Sequence, residues 1–139
     1  MTVTTSLREY APEQMQRLLT RLIFQIHRAA KMPGPDEIHD VRVCLRRFSQ
    51  GLTLFGDLFP LREIKKIKRR LKHMLKLTSQ IRDRDIALEF LAGLKETPHR
   101  ERLLAKRLAL ETEFAEMVRR WNTREFSAKW RGDLALPNT

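Results

Sequence analysis

The chain has 139 residues, and its 28 Lys and Arg against 17 Asp and Glu give a formal net charge of +11. This excess predicts an anionic partner: a nucleic acid, a polyphosphate or an acidic membrane surface. A hydrophobic content of 42% excludes a disordered basic tail, and the single cysteine excludes a disulfide scaffold. No apolar run is long enough to cross a bilayer, and residues 1–14 do not resemble a signal peptide, so we expect a cytoplasmic protein.

The sequence predicts four helices and no strand. Proline and glycine interrupt it at residues 33–35, 56–60 and 97–98. Apolar residues recur three and four positions apart between these breaks, and alternating β-branched runs are absent. The predicted helices cover about residues 5–31, 36–57, 61–94 and 97–130, with 131–139 as a loose tail. These features predict one all-α domain, an antiparallel four-helix bundle.

Several helix ends and faces can also be predicted. Asp36 is the expected N-cap of the second helix, and Thr97 is the expected N-cap of the fourth. The weak helix formers at 78–80 would allow a kink in the third helix. The inward-facing residues predicted for the fourth helix are Leu104, Leu108, Phe114, Val118 and Trp121.

Positive charge is concentrated in two rows. Residues 62–76 contain eight basic residues and one acid, Glu63. Four of the basic residues are spaced four, three and four apart and so share a helix face, namely Lys65, Arg69, Lys72 and Lys76. A second row in the preceding segment consists of His39, Arg42 and Arg46, with Arg47 beside it. Two such rows predict a groove for a flexible polyanion, whereas either row alone is also typical of a solvated helix face.

Signals of catalysis are weak. His39 has no His or Cys partner at ligand spacing, so a phosphate contact is favoured over a metal site. Asp83 and Asp85 do not face each other on a helix, and an ion pair that orients Arg82 or Arg84 is favoured over a Mg²⁺ site. No glycine-rich phosphate loop is present. We therefore expect a non-enzymatic protein without a metal or cofactor.

Two stretches resemble the CHAD family, the conserved histidine α-helical domain. Residues 37–59 read EIHDVRVCLRRFSQGLTLFGDLF, and residues 65–90 read KKIKRRLKHMLKLTSQIRDRDIALEF. The family's His-x-x-Arg-Val-x-x-Arg-Arg signature is matched by His39, Arg42, Val43, Arg46 and Arg47. Its Arg-Asp-x-Asp element is matched by Arg82, Asp83 and Asp85. The resemblance is good over residues 36–95 and extends to the flanking helices only by pattern.

The resemblance implies a helical domain that binds inorganic polyphosphate through basic side chains and associates with polyphosphate granules. The candidate binding residues are His39, Arg42, Arg46, Arg47, Lys65, Arg69, Lys72, Lys76 and Arg82, with Arg21 at their border. Nucleic acid is the alternative polyanion. Basic residues interleaved with aromatic ones, which a single-strand groove would use, are absent, and so is helix-turn-helix spacing.

The resemblance also raises a question of assembly. The family's domain usually contains two four-helix bundles around one channel, whereas this sequence has the length of one. Either the second half is lost or a homodimer supplies it. The apolar residues expected to form the contact between two copies are Leu19, Ile23, Phe24 and Leu110.

Overall fold

The structure, a computed structural model, describes residues 3–93 and 97–137. This part of the chain forms the helices α1 (Val3–Lys31), α2 (Pro35–Phe55), α3 (Leu61–Phe90), α4 (Pro98–Trp121) and α5 (Arg124–Asp133). A single 3₁₀ turn, Gly56–Leu58, separates α2 from α3. The described residues contain no strand, which confirms the prediction of an all-α fold. None of their helices is both long and apolar enough to cross a membrane.

The four long helices enclose one apolar core. α1 contacts α2, α2 contacts α3, α3 contacts α4, and α4 contacts α1. Each helix buries residues three and four apart, as the sequence pattern predicts; in α1 these include Met15, Leu19, Leu22 and Ile26. Burial of each such side chain contributes about 1.5–3 kcal/mol to folding. The core therefore holds the exposed, charged faces of the helices in fixed relative positions.

The predicted fourth helix is in fact two helices, so the prediction of four helices was wrong in this segment. The backbone of Thr123 is extended, and its Oγ1 accepts a hydrogen bond from Phe126 N at 3.1 Å, which caps a new helix. The resulting α5 packs on α1 and α4. The prediction of a loose tail from residue 131 was also wrong within 131–137, because α5 continues to Asp133 and Leu134 and Leu136 are buried. Residues 138 and 139 lie outside the described part.

Smaller corrections concern helix faces and ends. Phe114, Val118 and Trp121 are buried as predicted, but Leu104 and Leu108 are 43% and 64% exposed, and Leu110 is buried in their place. Helix α2 begins one residue earlier than expected, with Gly34 as its N-cap and no side-chain cap, so Asp36 does not cap it.

Helix α3 continues without a break through residues 78–80, where Thr78 is buried and its Oγ1 donates to Leu75 O at 3.0 Å. The prediction that this helix continues to about residue 94 was wrong, because α3 ends at Phe90 with Leu91 as its C-cap.

The N-cap predicted at Thr97 is confirmed, because its Oγ1 accepts a hydrogen bond from Arg100 N at 3.2 Å. Replacing Thr97 with Ala leaves that amide without its partner and should lower the free energy of unfolding by about 1 kcal/mol. Urea denaturation followed by circular dichroism measures the change. Thr112→Ala is the matched control, since Thr112 lies in the middle of α4 and its hydroxyl bonds only to Leu108 O. Equal losses in both variants would contradict a capping role.

Candidate functional site

A cleft of about 320 Å³ lies between the first turns of α2 and the second half of α3. Three basic side chains line it: His39 and Arg42 from α2 and Arg82 from α3. Ile38 and Thr78, both buried, form part of its floor. The sequence predicted all three basic residues as binding residues, and the structure brings them together.

Helix geometry explains why these three side chains meet. His39 and Arg42 are three residues apart and flank the buried Val41, so they emerge at the same edge of the core. Arg82 follows the buried Ile81 on α3. Because α2 and α3 run antiparallel, the start of α2 lies beside the later turns of α3. Arg82 Nη1 accordingly lies 3.4 Å from His39 Nδ1.

Arg42 is the one residue lining the cleft that has a buried side-chain nitrogen without a partner in the described part of the chain; Arg84 and Arg100 share this feature elsewhere. The Nε of Arg42 is buried and has no hydrogen-bond partner among the residues that the structure describes. A buried polar group left unpaired costs about 1–3 kcal/mol. An anionic oxygen in the cleft would accept hydrogen bonds from the terminal N–H groups of this side chain and neutralise the guanidinium. The position of Arg42 thus indicates an anion as the ligand.

The cleft also contains three carboxylates, which sequence reasoning did not place there. Asp36 and Glu89 lie at its rim, and Asp85 lies deeper. Asp85 accepts a hydrogen bond from Arg107 of α4, which also donates to Glu111 Oε2 at 2.6 Å. The hydrogen bond to Asp85 raises the pKa of Arg107 above its ordinary value. Because Arg107 is shared between Asp85 and Glu111, it offsets the charge of Asp85 only in part.

This ion pair corrects the role expected for Asp85, which was to orient Arg82 or Arg84. Arg84 Nη1 instead donates to Gln80 O within α3, at 3.2 Å. The sequence did contain a signal for Arg107, because it lies seven residues before the buried Phe114 and thus on the inward face of α4. A cation on an apolar stripe requires a buried or half-buried anionic partner.

Four further predicted residues are exposed on the same two helices, outside the cleft. Arg46 is exposed one turn beyond Arg42 on α2, and Lys65, Lys72 and Lys76 are exposed on α3. The antiparallel arrangement that brings Arg82 to His39 also brings Lys76 close to the level of Arg46. A continuous positive surface along α2 and α3 stays a prediction.

The remaining three predicted residues lie in other grooves. Arg21 and Arg47 line a groove of about 380 Å³ between α1 and α2, together with Cys44. Burial raises the pKa of the Cys44 thiol. Arg69 lines two clefts that face α4 and α5. Helical spacing had placed Arg69 in a basic row, with Arg47 beside the other row and Arg21 at the border, but it could not reveal which neighbouring helix each one meets.

Comparison with protein families gives one match. The CHAD domain family model matches residues 13–135, nearly the whole chain, and so extends the resemblance beyond residues 36–95. Comparisons with curated proteins and with solved structures give no match.

Proposed function

Because the chain belongs to the CHAD family, which is generally associated with polyphosphate binding, we propose that it binds inorganic polyphosphate or a similar phosphate polyanion. The binding site is the cleft formed by His39, Arg42 and Arg82. The observation that carries the proposal is the buried, unpartnered Nε of Arg42. A guanidinium presents its N–H groups in a planar fork that matches phosphate oxygens.

Basic residues outside the cleft can contact the rest of a long ligand. A phosphate polymer carries negative charge along its whole length, so one cleft can hold only part of it. From the cleft, Arg46 continues the row on α2, while Lys72 and Lys76 are exposed on the face of α3 that they share with Arg69. The carboxylates of Asp36 and Glu89 lie at the cleft and repel the polymer there. The polyphosphate chain should therefore run from Arg42 towards Arg46.

The same residues support binding without catalysis. A general base at His39 would need a carboxylate to orient it, and Asp40, the next residue in the chain, pairs with Arg28 Nη1 of α1 at 3.3 Å. The raised pKa of the Cys44 thiol disfavours its nucleophilic thiolate. In the described ranges, no group of three or more His, Cys, Asp and Glu side chains could hold a metal ion. We accordingly expect polyphosphate to be recovered intact after long incubation with the protein.

A competition assay tests the proposed ligand against nucleic acid, the second polyanion that the net charge allows. Labelled polyphosphate is bound to the protein, and excess duplex DNA is added at constant salt. Retention of the label supports a site that prefers the phosphate chain itself. Displacement by DNA would identify a general polyanion surface and contradict the proposal.

Binding should depend steeply on salt. Each phosphate that a cation neutralises releases a counterion, and the slope of log K against log salt is about −0.7 per contact for single-stranded nucleic acids. Three contacts in the cleft alone would give a slope of about −2, and the extended path would make it steeper. Titrations between low and moderate salt measure the slope. A flat response would contradict electrostatic binding along α2 and α3.

Assembly into a homodimer requires a different contact from the one the sequence suggested. Leu19 and Leu110 are buried in the core, so they cannot join two copies, whereas Phe24 is 59% exposed. Two chains of +11 repel each other. We therefore expect pairing only when polyphosphate bridges two basic surfaces. Sedimentation velocity with and without the ligand measures it, and a monomer in saturating polyphosphate would contradict it.

A further inference from the structure

A second groove lies on the opposite flank of α3, where α4 ends and α5 begins. Its volume is about 580 Å³, larger than the 320 Å³ of the cleft around Arg42. Its apolar floor consists of the half-buried Met117 and Phe126 together with Trp121, which is 6% exposed. Trp121 and Phe126 stack on each other with ring centroids 4.8 Å apart, and both contact Trp130 in the core. The floor is therefore held rigidly by the packing of α5.

Basic side chains surround this floor. Arg69 and Arg70 come from α3, and Arg120 comes from α4. The Arg70 guanidinium lies 5.8 Å from the centre of the Phe126 ring, a cation–π arrangement that fixes its position while leaving its N–H groups available. In the described part of the chain, Arg69, Arg70 and Arg120 have no carboxylate partner. Three guanidinium groups without carboxylate partners at one groove indicate an anionic ligand.

The positive region extends beyond the groove. An adjoining cleft of about 250 Å³ shares Arg69 and Arg70 and adds Lys66 and Lys129, with Asp133 as its acid. At the other edge, His73 Nε2 lies 3.9 Å from Glu113 Oε1, so this carboxylate faces the histidine. The excess of positive charge therefore lies on the side of Arg70 that faces Lys66 and Lys129.

We propose that this groove binds a nucleotide, with the base on the floor of Met117, Trp121 and Phe126 and the phosphates held by Arg69, Arg70 and Arg120. The combination of an apolar, partly aromatic floor with guanidinium groups at its edge matches a ligand that is flat and apolar at one end and anionic at the other. Its volume lies in the range of small-molecule sites. An inorganic phosphate chain would use the cations but leave the apolar floor without a partner.

The nucleotide site is separate from the cleft around Arg42, although Arg69 was also among the residues predicted from the sequence to bind polyphosphate. Arg42 and Arg120 belong to different helices and line different clefts. The loss of one site therefore does not require the loss of the other. A variant can therefore lose nucleotide binding and keep polyphosphate binding, or the reverse.

Calorimetric titration with ATP and with tripolyphosphate, which has the same number of phosphates, tests the proposal. ATP should bind about tenfold more tightly, since contact between a base and an aromatic surface is worth roughly that factor. Arg120→Gln should weaken ATP binding about tenfold, because it removes a charged hydrogen-bond donor. The chain's two tryptophans, Trp121 and Trp130, line the groove and the adjoining cleft, so their fluorescence gives an independent reading.

Arg119→Gln is the matched control. Arg119 is exposed on the same turn of α4, but its Nε bonds to Ala115 O of its own helix and it does not line the groove. ATP binding should be normal in Arg119→Gln and in Arg42→Gln, and polyphosphate binding should be normal in Arg120→Gln. Equal affinity for ATP and tripolyphosphate, or equal losses in Arg119→Gln and Arg120→Gln, would overturn the proposal. Circular dichroism confirms that each variant is folded.

Discussion

Reversing the charges of Arg42 and Arg46 together, by Arg42→Glu and Arg46→Glu, should weaken polyphosphate binding by at least about 100-fold. A hydrogen bond to a charged group is worth about 1.5–3 kcal/mol, and the new carboxylates would repel the ligand as well. Helical content should be unchanged, because Arg46 is exposed and neither side chain pairs with an acid among the described residues. Fluorescence anisotropy with labelled polyphosphate measures the loss.

The matched control is Arg102→Glu with Lys106→Glu. These two residues are exposed on α4 with the same spacing of four, and neither lines a described cleft. Both double variants lower the net charge equally, so a loss that came only from long-range attraction would be the same in both. Normal binding by the variant at positions 42 and 46 would locate the polyphosphate site elsewhere.

The largest effect on stability should come from Trp130→Ala. Trp130 is 1% exposed, and its ring stacks on Phe48 of α2 with centroids 5.6 Å apart. It also contacts Trp121 and Phe126. Removing a large buried aromatic side chain costs about 3–5 kcal/mol because it leaves a cavity. Chemical denaturation should show a loss of this size.

Lys129→Ala provides the comparison for that measurement. Lys129 precedes Trp130 in α5 but is exposed. Its replacement should change the free energy of unfolding by no more than about 0.5 kcal/mol. If Trp130→Ala lowered the free energy of unfolding as little as Lys129→Ala does, the packing of α5 against α2 would contribute little to stability.

Sequence pattern predicted most of the fold because three of the four long helices end at proline or glycine. It failed after Trp121, where no proline or glycine is present. The helix ends there because Thr123 caps α5 and because Trp130 reaches Phe48, eighty-two positions earlier in the chain. Helical periodicity continues across such a break, so only the tertiary contact reveals it. Leu104 and Leu108 were wrongly predicted to face inward. Their spacing fits an apolar stripe, but the neighbouring helices do not cover that part of α4.

The candidate cleft was predictable in part. Spacing and the family signature selected His39, Arg42 and Arg82, which do meet. Neither could show that Arg42 Nε is buried without a partner, since that depends on how α3 packs against α2. Nor could they show that Asp85 is paired from α4, because Arg107 is twenty-two residues away. The sequence also could not show that Arg70 and Arg120 line one groove, because they become neighbours only through the packing of α3 on α4.

The short final helix has a consequence for how the molecule fluctuates. Ten residues are too few for a helix that is stable alone in water, so α5 depends on its contacts with the core. Its detachment should be a partial opening that exposes Trp130 while α1 to α3 stay folded. In amide hydrogen exchange, α5 would then exchange faster than the buried turns of α3. A ligand that rests on Phe126 would slow that exchange, linking the occupancy of one groove to the motion of the chain's last helix.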